Sequence, residues 1–106
     1  MSKKELISNA FQVFSDEAPG HAAAWQGLVQ SLAAANTLDQ KTSALAYLAV
    51  LAALGKESGI PFHVNSAKQS GATREEVISA ILIGLPAAGH GVTQVLPSTV
   101  TAYDAG

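Results

Sequence analysis

The chain has 106 residues, which is the length of one domain and enough for a single hydrophobic core. Its formal net charge of -2 provides no basic surface for a phosphate backbone, so we do not expect nucleic-acid binding. The absence of cysteine excludes disulfides, thiolate metal sites, iron–sulfur clusters and cysteine nucleophiles from this chain.

Charged residues make up 13% of the chain and hydrophobic residues 48%, whereas an ordinary soluble domain is about 25% charged. This composition predicts a homo-oligomer, because a small monomer would carry more solvated charge. The N-terminal segment lacks the unbroken apolar region of a signal peptide. The most apolar run, Ala44 to Gly55, is shorter than the roughly 20 residues that cross a bilayer. We therefore expect a cytoplasmic protein without a membrane span.

Apolar residues recur with helical spacing and no run alternates with period two, so we predict one all-α domain over residues 1–106 with about six helices. Ser2 and Glu5 predict a capping box for the first helix. Its apolar face contains Ile7, Ala10, Phe11 and Phe14, and it ends near residues 16–20. The second helix is predicted from about Pro19 to Ala35, with its apolar positions at Trp25, Leu28, Val29 and Leu32.

The third helix is predicted to begin after Asp39, which can cap it, and to end at Gly55. It is apolar nearly all round from Ala44 to Leu54. Such a segment is expected to be enclosed by other helices or by a second subunit.

The second half of the chain predicts three further helices. A short fourth helix has Pro61 in its first turn and an apolar face of Ile60, Val64, Ala67 and Gly71. Thr73 and Glu76 form a capping box for the fifth helix, which runs to about Leu85 through Val77, Ala80, Ile81 and Ile83. Pro86, Gly89 and Gly91 end or kink it. The last helix is predicted from about Val92 to Tyr103, with Pro97 removing one hydrogen bond in its middle.

The segment "LDQKTSALAYLAVLAALGKESGIPFHVNSAKQSGATREEVISAIL" resembles the carboxymuconolactone decarboxylase and alkylhydroperoxidase D-like family, and the similarity extends over roughly residues 38 to 104. Its most specific part is "FHVNSAKQSGATREEVISAI", with the family's histidine, small-residue helix and Gly-Ala-Thr-x-x-Glu turn. The resemblance implies an all-helical subunit that buries its central helices in dimers, often arranged as trimers or hexamers.

The redox branch of that family uses two cysteines and a glutamate together with the histidine. Lys56, Gly59 and Ala44 occupy those places here, and His63 alone remains. Without a thiol the proton relay has nothing to activate, so we do not expect a thiol peroxidase. The decarboxylase branch lacks the second cysteine and has a glutamate at the position of Glu57.

His63 is the candidate catalytic residue, because an imidazole suits proton transfer at neutral pH. The alternative is a packed histidine that is hydrogen-bonded to a backbone carbonyl. Lys56 and Glu57 are candidates for an acid/base or substrate-carboxylate pair, or are solvated residues at a helix end. Tyr47 is a candidate for lining a cavity, although core packing is the better prediction.

His90, between two glycines, is a candidate substrate-binding residue in a turn, or else faces solvent. His21 is predicted to lie at the surface. The histidine spacings contain no local metal motif and no glycine loop follows a strand, so we expect neither a metal nor a nucleotide cofactor.

Two hypotheses remain open. The first is a cofactor-free lyase that resembles the decarboxylase branch and acts on a small carboxylated lactone or keto acid between subunits. His63 would be its acid/base, with Lys56 or His90 binding the substrate carboxylate. The second is a non-catalytic oligomeric binding or scaffold protein that has lost the family's chemistry.

Overall fold

The structure is a computed structural model that describes residues 6–105. Within this range six α-helices have nine residues or more, and a one-turn helix and two 3₁₀ segments connect them. The α-helices are α1 (Asn9–Glu17), α2 (Pro19–Ala35), α3 (Gln40–Leu54), α4 (Ile60–Gln69), α5 (Arg74–Leu82), α6 (Leu85–Ala88) and α7 (Leu96–Asp104). The 3₁₀ segments are Glu57–Gly59 and His90–Val95. Residues 6–105 contain no strand, so the predicted all-α fold is confirmed.

The caps predicted for the central helices are present. The Asp39 carboxylate accepts a hydrogen bond of 2.7 Å from the backbone N–H of Thr42 at the start of α3. Gly55 ends the helix with a φ of 68°, in the left-handed region that favours glycine. Thr73 and Glu76 accept hydrogen bonds from each other's backbone N–H groups, which fixes the start of α5.

The hydrophobic core lies between α3, α4, α5, α7 and the segment His90–Val95. Its fully buried side chains belong to Leu48, Ile60, Val64, Val77, Ile81, Val92 and Val95. Thr99 is also buried, and its hydroxyl donates to the carbonyl of Val95. The fixed position of α4 in this core determines where His63 lies.

The first helix differs from the prediction. The capping box of Ser2 and Glu5 lies outside the described residues. Ile7 and Ser8 interrupt the predicted helix, because the Ser8 hydroxyl accepts the N–H of Phe11 and α1 begins at Asn9. Phe11 is 38% exposed, so the predicted apolar face is not part of the core.

Three predictions for the second half of the chain are corrected. Gly71 lies beyond α4 with a φ of 96°, so it belongs to a turn and not to the helical face. The fifth helix ends at Leu82, and Ile83 is 74% exposed, because the ring of Pro86 is incompatible with a helix that continues past Leu82. Pro97 lies in the first turn of α7, where it removes no helical hydrogen bond.

Two helices keep large apolar surfaces open in the single chain. In α3 the buried residues are Leu48, Leu51 and Ala52, whereas Tyr47, Val50 and Leu54 are exposed. The described residues therefore cover only one side of this apolar helix. In α2 no residue is buried, and the helix packs mainly against α1. None of the helices in residues 6–105 is both long enough and apolar enough to span a membrane.

Candidate functional site

His63 lies in the first turn of α4 among aromatic rings. Its ring stacks on Tyr47 with a centroid distance of 4.3 Å and an interplanar angle of 29°. The ring of Phe62 approaches it edge-on at 5.2 Å. Gly59 lies beside the same ring, since a Cβ atom at Gly59 would be 3.9 Å from His63 Cδ2. The side chain is therefore oriented by packing.

The His63 ring makes no hydrogen bond with residues 6–105, so the interpretation of a packed histidine bonded to a carbonyl does not describe it. In residues 6–105 every buried side-chain nitrogen has a hydrogen-bond partner. Because the nitrogens of the His63 ring have no such partner, they must reach the surface. Partial burial lowers the pKa of His63 below its usual value, because removal from water disfavours the charged imidazolium. At neutral pH the ring is thus neutral and has a free lone pair.

Tyr47 extends from α3 across the face of the His63 ring and is 47% exposed. The prediction that it packs in the core is wrong, because it points away from the buried side of α3 that Leu48 occupies. Its hydroxyl has no hydrogen-bond partner among the described residues. Tyr47 therefore offers an apolar ring and a free hydroxyl at the edge of the site.

Lys56 and Glu57 follow the end of α3 and are both exposed. The Lys56 side chain forms no ion pair within the described residues. The Glu57 carboxylate accepts a hydrogen bond of 2.9 Å from the Ser98 hydroxyl of α7. The two residues therefore do not form an ion pair with each other, and Glu57 is directed toward α7.

A shallow surface groove of about 280 Å³ lies beside Glu57. Its walls are formed by Ala52, Ala53, Leu54, Gly55, Glu57, Gly91, Gln94 and Val95. Neither His63 nor Tyr47 lines it, and Lys56 and His90 are also outside its walls. Of the candidate residues, His63 and Tyr47 therefore belong to an aromatic cluster, and Glu57 belongs to a separate groove.

His90 begins the second 3₁₀ segment, and its side chain is exposed. The backbone carbonyl of His90 accepts a hydrogen bond from the Thr93 hydroxyl. His21 is exposed on α2. In residues 6–105 no three His, Asp or Glu side chains lie close enough together to hold a metal ion.

Sequence reasoning did not single out Ser98, Gln94 or Phe62. Ser98 in α7 and Gln94 in the second 3₁₀ segment lie near Glu57 only because the end of the chain folds back on the segment after α3, and no local spacing predicts that contact. Phe62 directly precedes His63 in the chain, and this adjacency could have identified it as a neighbour of the candidate histidine.

A comparison with protein families matches residues 19–96 to the carboxymuconolactone decarboxylase family. Comparisons with curated proteins and with solved structures give no match. The matched region includes α2 through the second 3₁₀ segment and contains His63, Tyr47, Lys56, Glu57 and His90.

Proposed function

This chain belongs to the carboxymuconolactone decarboxylase family, and on that premise we propose that it is a cofactor-free enzyme that acts on a small carboxylated lactone or keto acid. His63 is the general acid/base in this proposal. The observation that carries it is a neutral imidazole that is oriented by aromatic packing and keeps its nitrogens open to a ligand. A base used in catalysis needs this combination of a fixed position and a free lone pair.

The surroundings of His63 suit a small anion with an apolar body. Tyr47 and Phe62 provide flat apolar surfaces, and the N-terminal end of α4 carries the partial positive charge of the helix dipole. Lys56, which immediately precedes the short 3₁₀ segment before α4, adds a full positive charge that has no ion-pair partner in residues 6–105. We propose that a substrate carboxylate pairs with Lys56 while its carbon skeleton lies on the aromatic rings.

The reaction proposed is the loss of carbon dioxide next to a carbonyl group. The carboxylate is β to the carbonyl: the C–C bond to it breaks, its electron pair forms a C=C bond to the carbonyl carbon, and the carbonyl π electrons move to oxygen to give an enolate. The N–H of the neutral His63 ring then donates its proton to the carbon, while the other ring nitrogen takes a proton from water, so the ring ends neutral again. The hydroxide that remains is neutralised by the buffer.

The test is turnover on a panel of small β-keto acids and carboxylated lactones, measured by release of carbon dioxide. The variant His63→Gln should lose at least 100-fold in kcat, in the range of general acid/base contributions. The matched control is Gln69→Ala, at the exposed far end of the same helix, which should keep wild-type turnover. Equal turnover in wild type and His63→Gln contradicts the role of His63.

The second candidate is a non-catalytic binding or scaffold protein. It is favoured by the surroundings of His63, whose ring contacts in residues 6–105 are with Tyr47, Phe62 and Gly59. Ala44 and Gly59 also have no functional group at positions where the redox branch has a glutamate and a cysteine. This candidate predicts ligand binding without turnover. Its test is the thermal unfolding midpoint of the protein with the same carboxylates. A midpoint that rises with ligand concentration, without release of carbon dioxide, supports the binding protein over the enzyme.

A further inference from the structure

The stack of Tyr47 on His63 is fixed by the packing of α3 against α4. The residue that follows Tyr47 in the chain is Leu48, and its side chain is 0% exposed in the core. Val64 follows His63 and is also 0% exposed. The two rings therefore lie at the rim of the core, on adjacent helices whose relative position the core determines. With a centroid distance of 4.3 Å, the face of one ring lies directly on the face of the other.

The contacts that hold the His63 ring are made by carbon atoms. A histidine used in acid/base catalysis is commonly oriented by a hydrogen bond from one ring nitrogen to a third group, and that bond also decides which nitrogen carries the proton. His63 makes no such bond with residues 6–105. Its neighbours are the ring of Tyr47 on its face, the ring of Phe62 at 5.2 Å and Gly59 beside its Cδ2 atom. Neither ring nitrogen is therefore used to hold the ring within the described part of the chain.

A ring that is held by its face can exchange tautomers. In the reaction proposed above, one nitrogen of the neutral ring gives a proton to the substrate carbon while the other takes a proton from water, so each transfer converts one tautomer into the other. A nitrogen that is bound to a carboxylate or a carbonyl would resist this exchange, because the bond requires one particular tautomer. Stacking on an aromatic ring makes no such demand, since no N–H takes part in it.

We propose that Tyr47 is a positioning residue that holds the His63 ring by its face and thereby leaves both ring nitrogens free for the substrate and for water. The aromatic ring of Tyr47 carries this role, and its hydroxyl, which has no partner in residues 6–105, is not needed for it. The lowered pKa of His63 agrees with this role, because removal from water favours the neutral imidazole that has two tautomers. The effect on turnover rests on the proposed function, but the stack and the mixture of tautomers do not.

Nuclear magnetic resonance tests the holding of the ring in the wild-type protein. At a pH above the pKa of His63, nuclear Overhauser effects should connect the ring protons of His63 with those of Tyr47. The nitrogen-15 signals of His63 should show a mixture of both tautomers, and the exposed His21 provides the internal reference for a ring that no protein group locks. A His63 ring fixed in one tautomer, or the absence of an Overhauser effect between the two rings, overturns the proposal.

Kinetics with a β-keto acid that the wild type turns over measures what the stack contributes. Tyr47→Leu removes the aromatic ring, and kcat should fall by about 10- to 100-fold, as a displacement of about 1 Å in a catalytic group can cause. Tyr47→Phe restores the ring and should recover most of this loss. The matched control is Val50→Ala, which removes an exposed apolar side chain from the same side of α3 and should keep the wild-type kcat. A Tyr47→Leu variant that changes KM alone overturns the positioning role, because Tyr47 would then act only by contacting the substrate.

The two measurements separate this proposal from the proposed function. If the wild type releases no carbon dioxide, the proposed function fails, and the Overhauser effects and tautomers of His63 still decide how its ring is held. If His63→Gln loses turnover while Tyr47→Leu keeps the wild-type kcat, the proposed function stands and the role of Tyr47 is overturned. Should Tyr47→Leu fail to fold, the wild-type spectra decide alone, since they require no substitution.

Discussion

Ile81 and Ile83 make a sharp comparison, because the same residue type occurs twice within three positions in opposite environments. Ile81 is 0% exposed in the core, whereas Ile83 is 74% exposed in the turn after α5. Ile81→Ala removes three buried carbon atoms, each contributing about 0.8 kcal/mol, and leaves a cavity. The free energy of unfolding should therefore fall by about 3 kcal/mol.

The control Ile83→Ala should change the free energy of unfolding by less than about 0.5 kcal/mol, as exposed positions do. Urea unfolding followed by circular dichroism measures both variants. With a slope of about 1.5 kcal/mol per molar urea for a small domain, Ile81→Ala should lower the midpoint by about 2 M. The variants must be compared with each other at the same chain concentration, because any assembly would add stability by mass action.

The reasoning is refuted if the two variants lose the same stability at every chain concentration. That result would place Ile83 in the core, as the sequence periodicity alone predicts, and would contradict the end of α5 at Leu82. A loss for Ile83→Ala that disappears on dilution has a different meaning, because it would locate Ile83 at a contact between copies.

Three other predictions concern single groups. Tyr103→Phe should lower the free energy of unfolding by about 1 kcal/mol, because the Tyr103 hydroxyl donates a hydrogen bond of 2.9 Å to the backbone carbonyl of Ala72. Tyr47→Phe should change the free energy of unfolding little, since the Tyr47 hydroxyl has no partner in residues 6–105. Thr73→Ala should cost about 1 kcal/mol by removing the cap of α5, and Thr73→Ser should recover most of it, both measured by urea unfolding. The pKa of His63 is lowered in the folded state, so the unfolded state binds more protons at pH values between that pKa and 6.5. The free energy of unfolding should therefore fall as the pH decreases through this window. This dependence on pH should vanish in His63→Gln.

The central helices were predictable from the sequence because their signals are local. Asp39 and Gly55 bound α3, and the Thr73–Glu76 box starts α5, each through contacts within four residues along the chain. The position of Ile83 was not predictable from periodicity, which continues the apolar face past Leu82. Only the steric conflict with Pro86 decides that the helix stops there.

The candidate site was predictable in part for the same reason. The resemblance singled out His63, and its place in the first turn of α4 follows from Pro61 and the spacing of the buried residues. Its contact with Tyr47 joins two helices, so no pattern within either helix predicts it. The hydrogen bond between Glu57 and Ser98 spans 41 positions and depends on the way α7 returns to α3.

Assembly of the protein through α3 would be coupled to the chemistry of His63, because Tyr47, which stacks on His63, lies on the exposed apolar side of that helix. Burial is what lowers the pKa of His63, and a second copy on Tyr47 would remove more water from the same ring. If the protein assembles through this side of α3, the pKa of His63 should be lower in the wild type than in Val50→Lys, which places a charge on the exposed apolar side of α3 and leaves the ring itself unchanged. Titration of the His63 ring proton signals by NMR in the two proteins measures this difference. An identical pKa in both would show that the second copy does not cover the site, even if light scattering shows that the protein assembles.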